Sequence, residues 1–114
     1  MLSKEHRLRL EKDIKALFAK GRSVFGIYTG IRYRPNKLAL SRFAIVIGTK
    51  VSKRAVVRNR LRRQFRSIIY KHLVEIKPGF DVVLMVKKEA IGKKSKELET
   101  EFIQTLKRKS PLFK

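Results

Sequence analysis

The chain has no cysteine and very little acid. Without cysteine there is no disulfide, no thiolate metal site and no hint of an oxidising compartment. No apolar run approaches the roughly 18 residues needed to span a membrane. The opening stretch MLSKEHRLRLEKD is charged throughout and lacks the hydrophobic region of a secretory signal. A cytoplasmic location without membrane attachment is therefore expected. Asp and Glu number 9 against 30 Lys and Arg, a formal charge of +21. Between Asp13 and Glu75 there is no acid at all, while residues 14–74 carry sixteen Lys or Arg. Such imbalance repels itself in a compact state, so a polyanionic partner is the natural expectation.

Catalytic groups are equally scarce. There are two histidines, His6 and His72, and His72 falls on an apolar helical stripe where a satisfied core or boundary role is expected. Glu97 and Glu101 share a face of the last helix and read as surface ion pairs; Asp81 stands alone beside a strand. No catalytic residues and no metal ligands can be assembled from this set.

What is present is enough apolar sequence for a core: 43% of 114 residues, about one ordinary domain, residues 1–114. Residues 11–20 read as a short helix presenting Ile14, Leu17 and Phe18, with Gly21 placed for a left-handed cap. Residues 23–34 alternate as one strand, with Ile27, Thr29, Ile31 and Tyr33 on one face and Tyr28, Arg32 and Arg34 on the other. RPNK at 34–37 signals a turn. Residues 42–51 and 80–87 read as apolar strands, partly buried on both faces. Residues 95–109 form a helix with acids first and Lys and Arg last, as the helix dipole favours. The class is α+β in a single domain.

Residues 53–66, KRAVVRNRLRRQFR, hold seven positive charges and no carboxylate, and all but Lys53 are arginine. On a helix spanning 52–73, at 100° per residue with Val57 as zero, Ile68, Leu61, His72, Phe65 and Ile69 fall between about 20° and 120°. That is a stripe for a core. Arg62, Arg66, Asn59, Arg63 and Arg60 fall between about 140° and 300°, with Arg58 at the stripe's edge. A solvated helix face normally mixes signs at i and i+4; this one does not. A guanidinium fork pairs with two phosphate oxygens and stacks on bases, which lysine cannot do. Charge along most of a helix suits irregular RNA better than the few base-reading side chains of a DNA recognition helix. No DNA partner is expected.

KVSKRAVVRNRLRRQFR closely resembles the signature of the bacterial ribonuclease P protein subunit. The matching residues are Lys50, Lys53, Ala55, Val56, Arg58, Asn59, Arg60, Arg62, Arg63 and Arg66, and Arg54 lies within the run. HRLRLEKDIKALFAKG resembles the family's first helix, RYRPN its turn and GFDVVLMVKKEA its last strand. The resemblance implies an α/β sandwich with a mixed sheet of about four strands and three helices. It also implies a left-handed crossover through the basic helix, against the general rule. It implies an endoribonuclease in which a catalytic RNA, with bound Mg2+, removes the 5′ leader of precursor tRNA. The protein would bind that RNA through the basic helix and the leader in a cleft beside the first helix. Phe18 matches an aromatic cleft position, where stacking is worth roughly 1–3 kcal/mol, although it could equally be a core residue beside Leu17. Ile14 occupies a usually aromatic position and cannot stack. Tyr28 and Arg32 are the candidates for the cleft floor. Thr49 stands where many members carry a further lysine. The competing readings are a ribosomal protein, a DNA-binding regulator and a self-sufficient nuclease.

Overall fold

The computed structural model describes residues 6–8 and 11–114; most of the charged opening stretch lies outside the described residues. The elements are α1 (Glu11–Lys20), β1 (Arg22–Phe25), β2 (Thr29–Pro35), β3 (Arg42–Val46), α2 (Ala55–Lys71), β4 (Phe80–Val86) and α3 (Ser95–Lys109). They make one four-stranded sheet in the order β1-β2-β4-β3. Only β3 and β4 run parallel, and α2 joins them.

Strand alternation sorts side chains onto two faces. Ile31 and Tyr33 of β2, Phe43 and Ile45 of β3, and Val82, Leu84 and Val86 of β4 meet Leu61, Phe65, Ile68 and Ile69 of α2. Leu98, Phe102 and Leu106 of α3 complete this larger core. The opposite face carries a small cluster of Leu8, Leu17 and Val83, with Ile14, Ala44 and Met85 against it, under α1. β4 is central and apolar on both faces, as its unbroken hydrophobic run requires.

Three local expectations are corrected. The single strand at 23–34 is a hairpin, β1 paired antiparallel with β2. Its turn is held from outside: the Tyr28 N–H donates to Glu101 Oε1 at 3.3 Å, and Lys87 Nζ donates to the Gly26 carbonyl at 2.8 Å. A Cβ on Gly26 would lie 2.6 Å from Thr105 Oγ1, so α3 requires a glycine there. Gly21 is no left-handed cap, since positive φ among glycines is confined to Gly79 and Gly92. Instead a Cβ would sit 2.5 Å from the Leu17 carbonyl oxygen, where the chain folds back at the end of α1. β3 ends at Val46 rather than at residue 51, because the chain turns, with the Val51 N–H donating to the Gly48 carbonyl at 3.0 Å.

Candidate nucleic-acid interface

α2 is about 26 Å long. Its stripe is buried as the periodicity predicts, with Leu61, Phe65, Ile68 and Ile69 in the core. Lys50, Lys53, Arg54, Asn59, Arg60 and Arg63 are exposed, and Arg58, Arg62 and Arg66 half-buried. Arg54 is the N-cap residue, and no acid stands in the first turn. The positive end of the helix dipole therefore adds to the local cations rather than offsetting them. Two side chains are pre-positioned. Arg58 Nη1 donates to the Ser52 carbonyl at 2.8 Å, and Arg62 Nη1 donates to Asn59 Oδ1 at 2.9 Å. Asn59, Arg62, Arg63 and Arg66 line a recess of about 500 Å³. The exposed ring of Tyr70 lies on this same outward face, one turn beyond Arg66.

The second candidate surface lies between α1 and the sheet. Ile14 packs on the cluster of Leu8, Leu17 and Val83. Phe18 is 40% exposed, so it is not a core residue. Arg32 lies on the α1 face of β2 and closes the C-terminus of α1: its guanidinium donates to the carbonyls of Leu17 at 3.2 Å, of Phe18 and of Gly21, and to Ser23 Oγ at 3.0 Å. The same guanidinium lies 5.7 Å from the Phe18 ring centroid.

Tyr28 does not belong with Arg32. It precedes β2 and packs against the larger core on the other face. The turn at 26–28 resets the strand alternation, so sharing an even number with Arg32 does not mean sharing a face.

Register supplies the floor that local sequence omits. Phe25 pairs with Gly30, Gly30 with Met85, and Met85 with Val46, which makes one row across all four strands on the α1 face. Phe25 is 56% exposed and Val46 40%. The next row, Ser23–Arg32–Val83–Ala44, lies beneath α1. At the β3 edge, Ile14, Ala44, Val46, Arg7, Leu8 and Arg66 line a groove of about 340 Å³. Arg66 thus borders both candidate surfaces. Phe25, Val46 and Arg7 were not singled out from the sequence; finding them requires the pairing partners of each strand.

The Ribonuclease P family profile matches residues 2–110. The chain belongs to the ribonuclease P protein family. A ribonuclease P protein component from Picosynechococcus sp. is 38% identical over 108 residues, covering 94% of this chain and 89% of the relative. One from Syntrophomonas wolfei is 35% identical over 109 residues, covering 95% and 90%. The solved structure of the RNase P protein from Thermotoga maritima superposes with a TM-score of 0.82 at 30% identity, covering 90% of this chain and 96% of that one. The protein of this family is a component of a ribonucleoprotein endoribonuclease, and the ribosomal reading has no support.

In this member of the ribonuclease P protein family, the carboxylates and histidines serve the fold. Asp81, expected to stand alone, is buried and accepts from Arg42 Nε at 2.9 Å, Arg42 Nη2 at 2.8 Å and Asn36 Nδ2 at 2.9 Å. Arg42 also reaches Asp13 of α1 at 3.4 Å. The hydrogen bond to Asp81 pushes the guanidinium pKa of Arg42 further up, against the effect of burial. Glu101 is no surface ion pair: it accepts from the Tyr28 N–H and from Thr105 Oγ1. His72 ends α2 as a satisfied boundary residue, with Nδ1 2.9 Å from Glu75 Oε1 and Nε2 2.5 Å from Glu99 Oε2. The hydrogen bond from His72, with Lys71 beside it, holds the Glu99 carboxyl below its ordinary range. Among the described residues, no group of three or more His, Asp or Glu is placed to hold a metal ion.

Proposed function

We propose that this chain binds the ribonuclease P RNA through the outward face of α2 and the 5′ leader of precursor tRNA in the groove beside α1. Leader removal is then the RNA's chemistry, with Mg2+ held by RNA phosphates, and the protein works in the cytoplasm with that RNA. The observation that carries the reading is α2 itself. Its apolar stripe is fully used by the core, while Arg60, Arg63 and Asn59 are left outward with no acid among them. A folded chain accepts that repulsion when an outside polyanion offsets it. Where RNA strands crowd together, fixed guanidinium groups neutralise phosphates that would otherwise need divalent ions. The protein should therefore lower the Mg2+ requirement for activity. Contact with about six phosphates would give a slope of log affinity against log salt of about −4 to −5. The groove adds affinity only for substrates that carry a leader, so precursor should be favoured over mature tRNA.

The test is leader cleavage at low Mg2+ by a bacterial ribonuclease P RNA alone, with this chain, and with Arg58, Asn59 and Arg60 changed to Ala. The reading expects strong stimulation by the natural chain and its loss in the triple variant. Absence of stimulation with a competent RNA would overturn it.

A further inference from the structure

We propose that the leader crosses the sheet along the row Phe25–Gly30–Met85–Val46, and that Phe25 is the base-stacking platform at the far end of that path. This rests on the reading of the groove beside α1 as the leader site.

The row is in register across four strands. It extends about 14 Å, three strand spacings of about 4.8 Å each. α1 sits chiefly over the neighbouring row, through Leu17 over Val83 and the guanidinium of Arg32 at its C-terminus, and meets this row only at Met85. The row is apolar, exposed at its Phe25 and Val46 ends with Met85 half-buried and Gly30 beneath the Phe25 ring, and it is bounded by cations at each end: Arg66 and Arg7 beside Val46, and Lys87 beside Phe25. Apolar floor with cationic ends is the chemistry of a single strand laid down with bases inward and phosphates outward.

Phe25 is placed for stacking rather than for folding. More than half of it is exposed, so burial contributes little to holding it. Glycine inside a strand weakens the strand and often marks a close approach. At Gly30 a Cβ would lie 3.2 Å from the Phe25 ring and 3.3 Å from the Met85 methyl, so the missing side chain lets the ring lie close over the sheet. Lys87 Nζ stands 5.6 Å from the ring centroid while donating to the Gly26 carbonyl, which fixes the ammonium beside the ring. The pair repeats, at the β1 edge, the arrangement of Phe18 with Arg32 at the end of α1. The path also has a direction. Its Val46 end meets Arg66, which borders the α2 recess for the catalytic RNA, so Phe25 takes a leader base distal to the cleavage site.

The experiment uses the holoenzyme reconstituted with ribonuclease P RNA and precursor tRNAs whose leaders lengthen one nucleotide at a time. The ratio of precursor to mature tRNA affinity is compared for the natural chain, Phe25→Ala, Phe25→Leu, Phe25→Trp and Phe18→Ala. One stacking contact predicts a loss of about five- to hundredfold in that ratio for Phe25→Ala and Phe25→Leu. The loss should be confined to leaders long enough to reach the β1 edge, and Phe25→Trp should retain the full ratio. A leucine variant that keeps the ratio would overturn stacking, because only apolar contact would then be needed. A loss with Phe18→Ala but none with Phe25→Ala would overturn this path and leave the leader groove standing. Equal ratios for every variant at every length would overturn both.

Discussion

The two faces of the sheet are built unequally. On one, seven residues of α2 and α3 close a continuous apolar core over strand residues with almost no exposed surface. On the other, a single ten-residue helix covers part of the sheet through one fully buried side chain, Leu17, packed with Leu8 and Val83, and through polar contacts from Arg32 and Arg42. The fully covered face holds the fold together. The half-covered face leaves Phe25 and Val46 exposed at the two ends of an apolar row, each with cations beside it. α2 repeats the contrast within one helix, with a buried stripe and an outward face that exposes Asn59, Arg60 and Arg63.

The sharpest way to break this comparison is to remove a large side chain from the thick face. Phe65 is fully buried and meets Phe102 edge-to-face, centroids 6.3 Å apart. Phe65→Ala should cost about 3–5 kcal/mol in a urea melt, enough to unfold much of the population of a small domain. Leu17→Ala, on the thin face, should cost about 2–3 kcal/mol, because fewer neighbours surround the cavity. Equal losses would mean that the two faces are equivalent in energy.

Arg42 probes what substitutes for apolar cover on the thin face. Its guanidinium ties β3 to Asp81 of β4 and to Asp13 of α1. Arg42→Ala leaves the Asp81 carboxylate buried with Asn36 as its one side-chain partner among the described residues, at a cost of about 2–3 kcal/mol. Replacing both, Arg42→Ala with Asp81→Ala, should recover part of that loss in the same denaturation series.

The outward face of α2 should respond in the opposite sense. Arg60→Ala with Arg63→Ala removes two exposed like charges and should leave stability within about 0.5 kcal/mol of the parent, or raise it. Affinity for ribonuclease P RNA should fall about tenfold at low salt, and the salt slope should become shallower by about 1.5. Filter binding over a salt series reads both. A stability loss matching the affinity loss would make these arginines part of the fold.

How far the sequence foretells this molecule depends on how local each cause is. α1 and α3 begin and end where their periodicity and flanking residues predict, because Leu17, Leu98, Phe102 and Leu106 and the terminal breakers act within a few turns. The α2 stripe is equally legible, since helical spacing alone sorts Leu61 and Phe65 from Arg60 and Arg63. The hairpin at 22–35 is not, because its turn depends on Glu101 and Lys87, distant in the chain. The same distance conceals the partners of Asp81. Tyr28 is misplaced on the groove floor because one turn resets the alternation. Phe25 and Val46 join the row only through register across four strands, a long-range property that no window of sequence contains.

The smallest expected effect lies at the end of α2, where the thick face is fastened by charge. His72 Nε2 meets Glu99 of α3, and Lys71 Nζ lies 3.1 Å from the same carboxyl. These partners hold the Glu99 carboxyl below its ordinary range, so its ionised form favours the folded state. Because the folded pKa is depressed, the contribution is complete above the unfolded value near 4.5 and is lost as pH falls through the folded value. Glu99→Gln should therefore lower stability by about 0.5–1 kcal/mol at neutral pH, as a partly exposed pair allows. It should also flatten the decline of the urea midpoint below about pH 4.5, while leaving the profile above about pH 6 parallel to that of the parent. A variant that keeps the parent's full acid decline would place that dependence outside the contacts between α2 and Glu99.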